Sequence, residues 1–414
     1  MTRHVVVMVT SSYPRFPGDS VGTFMEPIAT SVAARGHDVH VVAPWHPLVA
    51  RGKRDNGVTF HFYKYAPLES LNVFGYAAAL RADVSLRGAA YVAAPLALAA
   101  GWRTARAVAR RHGATVMHGH WIIPGGPVAA AAAPRLPLVI SLHGSDVYVA
   151  ERFAPARFVA RRVFRRAGAI TACSADLGRR AEALGADRGR IEVVPYGVDP
   201  ERFRPDPLIR AKRRASLGIP ANVPIVFAAG RLVRKKGFEY LVDAVAELPA
   251  TAGVVTVIAG AGDLEPDLRN QAAAHALTEE RLRFVGNLSQ DDVAAWLATA
   301  DVVVVPSIRD DSGNVDGLPN IVLEALASGT PLIATPAGGI GSVIEHDRTG
   351  LLVPERDARA LADAIATLAA DPARRVTLGN GGRAAVMARY GWEFAAGRFE
   401  AAYDRALAIT SSRR

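Results

Sequence analysis

Two doubly wound α/β domains facing a cleft are the fold class this sequence predicts, on three observations. The chain has 414 residues, too many for one core and enough for two α/β domains. Its residues are 50% apolar and 21% charged, the balance of an ordered chain. β-branched runs alternate with helix-length stretches, once from residue 5 and again from residue 225.

In order, Val5–Thr10 reads as the first strand, Phe24–Ala34 as a helix stopped by Gly36, and Val39–Ala43 as the second strand. The loop between, SSYPRFPGDSVG, lacks G-x-G-x-x-G, so a dinucleotide fingerprint is missing. Residues 70–112 are Ala-rich, with Arg81, Arg87, Arg103, Arg106, Arg110 and Arg111 among apolar positions. That pattern fits packed helices whose Arg stems cover the core, or a basic helix lying on an anionic membrane. Ala114–His118 is a strand leading into HGHWIIPGGP. His118 and His120 share a face there, and without a third ligand nearby they read as core or site-floor histidines rather than a metal pair. Leu138–Leu142 runs into His143-Gly144-Ser145-Asp146, and the carboxyl end of a parallel strand is where such sheets bind ligands. Arg157–Arg166 is a basic helix containing Arg161, Arg162, Arg165 and Arg166. Ala169–Ser174 and Ile191–Pro195 are strands. The first domain is placed at 1–198.

The second domain, 199–391, opens on a proline-marked linker at Pro205 and Pro207. Its first strand, Ile225–Ala229, enters GRLVRKKG, a cationic run with a glycine at either end, which argues for a shaped loop; it is not a Walker loop. Val254–Gly260 and Leu282–Val285 are strands ending at Gly260-Ala261-Gly262-Asp263 and Gly286-Asn287-Leu288, and Asp291–Thr299 is a helix that buries Trp296. Val302–Val305 is a strand buried on both faces. The polar loop after it leads through Gly317 and Leu318 to a helix opened by Pro319, striped by Ile321, Leu323, Leu326 and Ala327, and stopped by Gly329. Unpaired N–H groups and the helix dipole make that first turn favourable to anions. Asp316 stands just before the helix. Glu324 stands inside it among apolar residues, where a carboxylate needs a partner. Pro331–Thr335 and Gly350–Pro354 are the last strands, and helices follow from Ala358.

Five segments carry a resemblance: H-x-H-W-x-x-P-G-G at 118–126, S-L-H-G-S-D at 141–146, V-P-Y-G-V-D at 194–199, G-R-x-x-x-x-K-G at 230–237, and D-G-L-P-N-x-x-L-E-A-x-A-x-G-x-P at 316–331. They resemble the retaining glycosyltransferases of family 4, bacterial exopolysaccharide and lipid-sugar type, and the resemblance spans nearly the whole chain. It implies the GT-B fold, with the segment from Trp392 to residue 414 crossing back onto the first domain, and a nucleotide-sugar donor with a glycan or lipid-linked acceptor. It implies that Arg231 and Lys236, with Lys235 nearby, hold the donor phosphates. By the same resemblance Glu324 binds ribose hydroxyls, Asp316 the sugar, and His143 lies by the reacting oxygen with Asp146 supporting the pocket. Gly260, Gly286 and Asn287 match where the base sits, and Gly317, Leu318, Pro319 and Asn320 line the donor helix. Gly22, then Gly18, match the glycine loop facing acceptor and phosphate. Two departures stand out: the first acidic position is Asp316 where Glu is usual, and Gly338-Gly339-Ile340-Gly341-Ser342 replaces G-G-x-P-E.

Composition sets the rest. One cysteine, Cys173, excludes an internal disulfide and fits a reducing, cytoplasmic compartment. No signal peptide and no membrane span are expected: Val5–Val9 is too short, and Ala89–Trp102 falls short of about 18–20 residues. The net charge of +10 is uneven, with 24 Lys and Arg against 13 Asp and Glu in residues 1–200, and 25 against 26 in the remainder. A basic first half suits an anionic membrane surface, nucleic acid or a polyanionic substrate, or is a solvated Arg-rich surface. With family motifs present, nucleic acid is not expected, and docking at the inner face of the membrane is. No metal ligand set and no cofactor are expected, since Arg231 and Lys236 can meet leaving-group charge. The rival readings are a nucleotide-sugar epimerase of the same architecture and a non-catalytic nucleotide-sugar-binding subunit.

Overall fold

The valine run of β1 (Val5–Val9) becomes the middle of a parallel sheet because it can be covered on both faces. The computed structural model describes residues 2–19, 21–72, 74–76, 80, 81, 85, 86, 88–249 and 252–412. Two units are present, Met1–Tyr196 with Trp392–Arg414, and Gly197–Gly391.

In the first unit β1 is followed by β2 (Asp38–Pro44), β3 (Arg54–Asp55), β4 (Val58–Tyr63), β5 (Leu80–Arg81), β6 (Ser85–Leu86), β7 (Val116–His120), β8 (Leu138–Leu142), β9 (Ala169–Ala172) and β10 (Ile191–Val193). The main sheet runs β10-β9-β8-β7-β1-β2-β4-β3, parallel except at the β3–β4 edge; β5 and β6 form a separate pair. The chain leaves β1 toward β2 and β4, then returns to β7 and continues outward to β10. The order therefore reverses between β1 and β7, and their carboxyl ends frame the crevice where doubly wound sheets take ligands. The sequence reading assigned no strand between Val39–Ala43 and residue 70. β4 occupies that gap by pairing in parallel with β2, a non-local contact that a short run flanked by polar residues does not announce.

The helix Gly88–Arg111 covers this sheet through Ala97, Ala105, Val108 and Ala109, all buried. Trp102 donates to the Ala131 carbonyl at 3.2 Å and Arg106 to that of Ala132 at 3.4 Å, so here the packed reading of the Ala-rich stretch holds. Arg87 lies outside the described residues. The returning helix Trp392–Ser411 is fastened by polar contacts. His4 Nε2 meets Asp404 at 3.0 Å, Arg35 pairs with Glu400 at 2.5 Å, and His118 Nδ1 meets the Tyr403 hydroxyl at 2.9 Å.

The second unit holds β11 (Ile225–Ala229), β12 (Val255–Ala259), β13 (Leu282–Phe284), β14 (Val302–Val305), β15 (Leu332–Ala334) and β16 (Leu351–Leu352), in the order β13-β12-β11-β14-β15-β16, all parallel. Here the reversal falls between β11 and β14. All four valines of β14 are buried, each worth about 1.5–3 kcal/mol of transfer out of water. Trp296 is buried and stacks on Phe227 of β11 at 5.5 Å. At the amino end of β14, Asp301 accepts from Arg210 at 2.6 Å, Arg214 at 3.1 Å and the Ile225 N–H at 2.8 Å, which locks β11 to β14 in register. Among the described residues no helix is long and apolar enough to cross a membrane.

Candidate functional site

The loops leaving β11 and β14 meet over the switch point of the second unit. Gly237 ends the cationic loop at φ +63°, and a Cβ there would stand 2.1 Å from the Pro306 carbonyl oxygen, so only glycine lets the two loops touch. The Ile308 N–H donates to the Lys235 carbonyl at 2.9 Å. This contact aims both lysines at the β14 loop, where Lys235 Nζ lies 3.0 Å from Asp316 Oδ1 and Lys236 Nζ 2.5 Å from Oδ2. Burial alone would raise the Asp316 carboxyl, but the two ammonium groups outweigh it and hold it well below the usual carboxylate range. Burial pushes the Lys236 ammonium below its ordinary value, with Asp316 opposing. Arg231 is exposed on the same loop. Three cations against one carboxylate leave this corner net positive. Gly338 completes it: a Cβ there would be 2.0 Å from the Asp316 carbonyl oxygen, so the glycine-rich turn after β15 presses directly on Asp316.

The loop passes through buried Gly317, Leu318 and Pro319 into the helix Asn320–Ala327, which begins one residue later than the sequence suggests. Glu324 is 8% exposed, and its carboxyl accepts no hydrogen bond from any described residue. Burial pushes it up to about 7, against the pull of Arg202 and Lys236. A carboxyl poised between protonation states, on the helix whose positive end closes the cationic corner, can accept hydroxyls from a polar ligand. The turns after β12 and β13 are joined by a 2.7 Å hydrogen bond from Gly260 N–H to the Gly286 carbonyl, with Asn287 exposed beside it. Of the four aspartates in the central stretch, Asp316 alone enters the cationic corner. Asp301 is the structural pin described above, Asp310 accepts from Ser312 and Asn314 of its own loop, and Asp311 pairs with Arg356. A cavity of about 330 Å³ lined by Gly218, Pro220, Leu248 and Arg281 lies at the amino ends of β11–β13, the wrong end for a ligand site in such a sheet.

In the first unit the residues named from the sequence gather at the β7 and β8 carboxyl ends. His143 shares a 2.7 Å hydrogen bond with the Tyr196 hydroxyl through Nδ1 and a 3.2 Å one with His120 through Nε2. Phe24 and Trp121 hold its ring at 4.8 and 4.7 Å. Asp146 accepts from the N–H groups of Ile122 at 2.7 Å, Gly144 at 2.9 Å and His143 at 3.3 Å, tying the β7 and β8 loops together; burial pushes its carboxyl up, those donors pull it down, and the net is a rise. The His118 ring lies 4.1 Å from that of His120 and bonds Ser141 at 2.7 Å. Burial pushes His118 and His143 down to about 3 and His120 well below its ordinary value, so all three are neutral imidazoles at neutral pH. Gly18 and Gly22 both take positive φ in the β1 loop, and a Cβ on Gly22 would stand 2.9 Å from Ser12 Oγ.

Sequence reasoning missed the roles of Tyr196, Trp121 and Gly338. It also missed a grouping of His40, His61 and His112, whose ring nitrogens lie within 4.8 Å of one another. On the basic helix two arginines are tied to the backbone: Arg166 donates to the Pro134 and Leu136 carbonyls, and Arg161 to that of Leu184. Arg162, Arg165, Arg103, Arg110 and Arg111 are exposed.

Comparison with known proteins places this geometry. Residues 209–385 match the family described as "Glycosyl transferases group 1", and residues 21–202 match "Glycosyltransferase Family 4". The chain is 34% identical over 281 residues to a GDP-mannose-dependent alpha-(1-6)-phosphatidylinositol monomannoside mannosyltransferase of Mycobacterium tuberculosis, covering 66% of this chain and 72% of that protein. It is 33% identical over 328 residues to a D-inositol 3-phosphate glycosyltransferase of Kineococcus radiotolerans, covering 72% and 73%. Sucrose-phosphate synthase from Thermosynechococcus elongatus superposes with a TM-score of 0.78 at 23% identity, over 98% of this chain and 100% of that one. The architecture is thus the GT-B fold, and the chain belongs to the group 1, family 4 glycosyltransferases.

Proposed function

We propose that this glycosyltransferase moves a hexosyl group from a nucleotide diphosphate sugar, UDP- or GDP-linked, to a glycan or lipid-linked acceptor of the cell envelope or exopolysaccharide, with retention at the anomeric carbon. The observation that carries the reading is the cationic corner at the β11/β14 switch point. Breaking the bond from the anomeric carbon to the phosphate oxygen leaves negative charge on the β-phosphate. Arg231, Lys236 and the positive end of the Asn320–Ala327 helix meet it as fixed groups that need no reorganisation. Asp316, within reach of both lysines, holds their ammonium groups apart at defined places and is where the sugar hydroxyls would compete. Glu324 takes the ribose hydroxyls. In this reading Asp316 is occupied by the two lysines and Glu324 by the ribose, so neither serves as the nucleophile of a double displacement. The acceptor oxygen therefore attacks on the face the leaving group departs from, its proton passing to the leaving phosphate. His143, neutral and held by Tyr196, His120 and two aromatic rings, shapes the pocket wall in the first unit and carries no charge into the reaction. Relatives named for GDP-mannose and for inositol-containing acceptors support both halves of this reading.

The test is a thermal-shift screen against UDP- and GDP-sugars, followed by product analysis with and without acceptor. A ligand at 100 times its dissociation constant stabilises by about 2.7 kcal/mol. Stabilisation by one nucleotide sugar, with acceptor-dependent product, supports transfer. Altered donor without acceptor means an epimerase, and binding without turnover means a non-catalytic subunit.

A further inference from the structure

The first unit holds three histidines that take no part in the reading above. His40 lies on β2, His61 on β4, and His112 directly after the helix Gly88–Arg111 that covers both strands. The parallel register pairs Val42 with His61, and His40, two residues from Val42, points to the same face, so the two imidazoles are diagonal neighbours. His40 Nδ1 stands 3.1 Å from His61 Nε2, and the His112 ring centroid lies 4.1 Å from that of His40 and 5.7 Å from that of His61. His40 is buried, while His61 and His112 reach the surface.

We propose that His40, His61 and His112 bind one divalent transition-metal ion, Zn²⁺ by their chemistry, with a fourth position open to solvent. Three neutral imidazoles and an open position form a recognised Zn²⁺ donor set. Zn–N bonds of about 2.0–2.1 Å in a tetrahedron place ligand nitrogens about 3.3 Å apart, which the His40–His61 pair already matches. The ligand nitrogens all lie within 4.8 Å of one another, so closing the set takes up to about 1.5 Å of ring movement, available to the two half-buried residues. The far nitrogen of His40, Nε2, is buried without a hydrogen-bond partner and lies 3.5 Å from the Asp38 carboxylate. Ligating histidines usually turn their second nitrogen to such an oxygen, which fixes the tautomer and raises the basicity of the ligand. The proton between His40 Nδ1 and His61 Nε2 leaves for solvent or for the far His61 nitrogen when the ion enters. Arg54 and Arg111 oppose a cation here, and Asp38 offsets part of that. The ion would join two strands to the helix over them.

The experiment uses untagged full-length protein, dialysed against Zn²⁺ with metal content measured, and titrated with Co²⁺ while recording its visible bands. One ion per chain and a four-coordinate Co²⁺ spectrum are expected. H61Q and H112Q each abolish stoichiometric binding with the fold retained by circular dichroism, and D38N weakens it by about 10–100-fold. No stoichiometric ion on the wild type, or equal binding by H61Q and H112Q, would overturn the site and leave a hydrogen-bonded histidine cluster only.

Discussion

Glu324→Gln separates a buried carboxyl that titrates near 7 from an ordinary helix glutamate. Glu324 sits at about 7 in the folded chain because burial disfavours its charge, and near 4.3 when unfolded. Its folded value is raised, so its contribution to stability is complete below about pH 4 and is lost as pH rises through 7. Between those values the unfolded chain releases a proton that the native chain keeps, and each pH unit then costs native stability about 1.4 kcal/mol. The loss saturates above pH 7 at about 3–4 kcal/mol. The amide of the Glu324→Gln variant cannot titrate and keeps the shape. The variant should therefore gain on the wild type as pH rises from 5 to 8, by roughly 6–12 °C in Tm for a domain near 200 residues. Differential scanning fluorimetry across that range measures it. A Tm difference that stays flat with pH would show that Glu324 ionises in the native state as an exposed glutamate does, and would remove the basis for reading it as a poised ligand group.

Three further outcomes are expected. Lys236→Ala should cut turnover by roughly 10²–10³, the scale of one lost transition-state contact; a folded variant with wild-type turnover removes Lys236 from the clamp. Transfer should survive excess EDTA if Arg231 and Lys236 meet the leaving-group charge as proposed, whereas activity lost to EDTA and restored by Mg²⁺ or Mn²⁺ contradicts this. In liposome co-sedimentation, the full chain should pellet with anionic but not neutral vesicles, and less so at high salt, since exposed Arg103, Arg110, Arg111, Arg162 and Arg165 each contribute about 1 kcal/mol near such a surface. Equal pelleting with neutral vesicles, or none with anionic ones, points to a soluble acceptor.

The strands that open each site were legible because burial on both faces demands continuous β-branched runs such as Val302–Val305, and the loops after them because Gly and Pro bracket them. Lys235, Lys236 and Asp316 were each visible as site candidates. Their mutual pairing was not, because about 80 residues separate them and only the β11–β14 crossover brings them together. The same holds for His143 with Tyr196 and for His118 with Tyr403 of the returning helix. The His40, His61 and His112 grouping was invisible for a further reason: its spacings of 21 and 51 residues match no local ligand motif, and it needs β4, whose alternation of Val58, Phe60 and Phe62 with polar residues went unassigned. Gly338 keeps the first glycine of the family pattern, the departures falling at Gly341 and Ser342, and its role, backbone against backbone at Asp316, depends on having no side chain.

The central claim, transfer from a nucleotide diphosphate sugar with retention, is tested most directly by the anomeric configuration of the first product. The stabilising donor from the thermal-shift screen is incubated with enzyme and a glycan or lipid-linked acceptor, and the configuration of the new linkage is read from the one-bond carbon–proton coupling in NMR. The account predicts the same configuration as in the donor, formed only in the presence of acceptor. The opposite configuration, or an epimerised donor with the acceptor untouched, would contradict it.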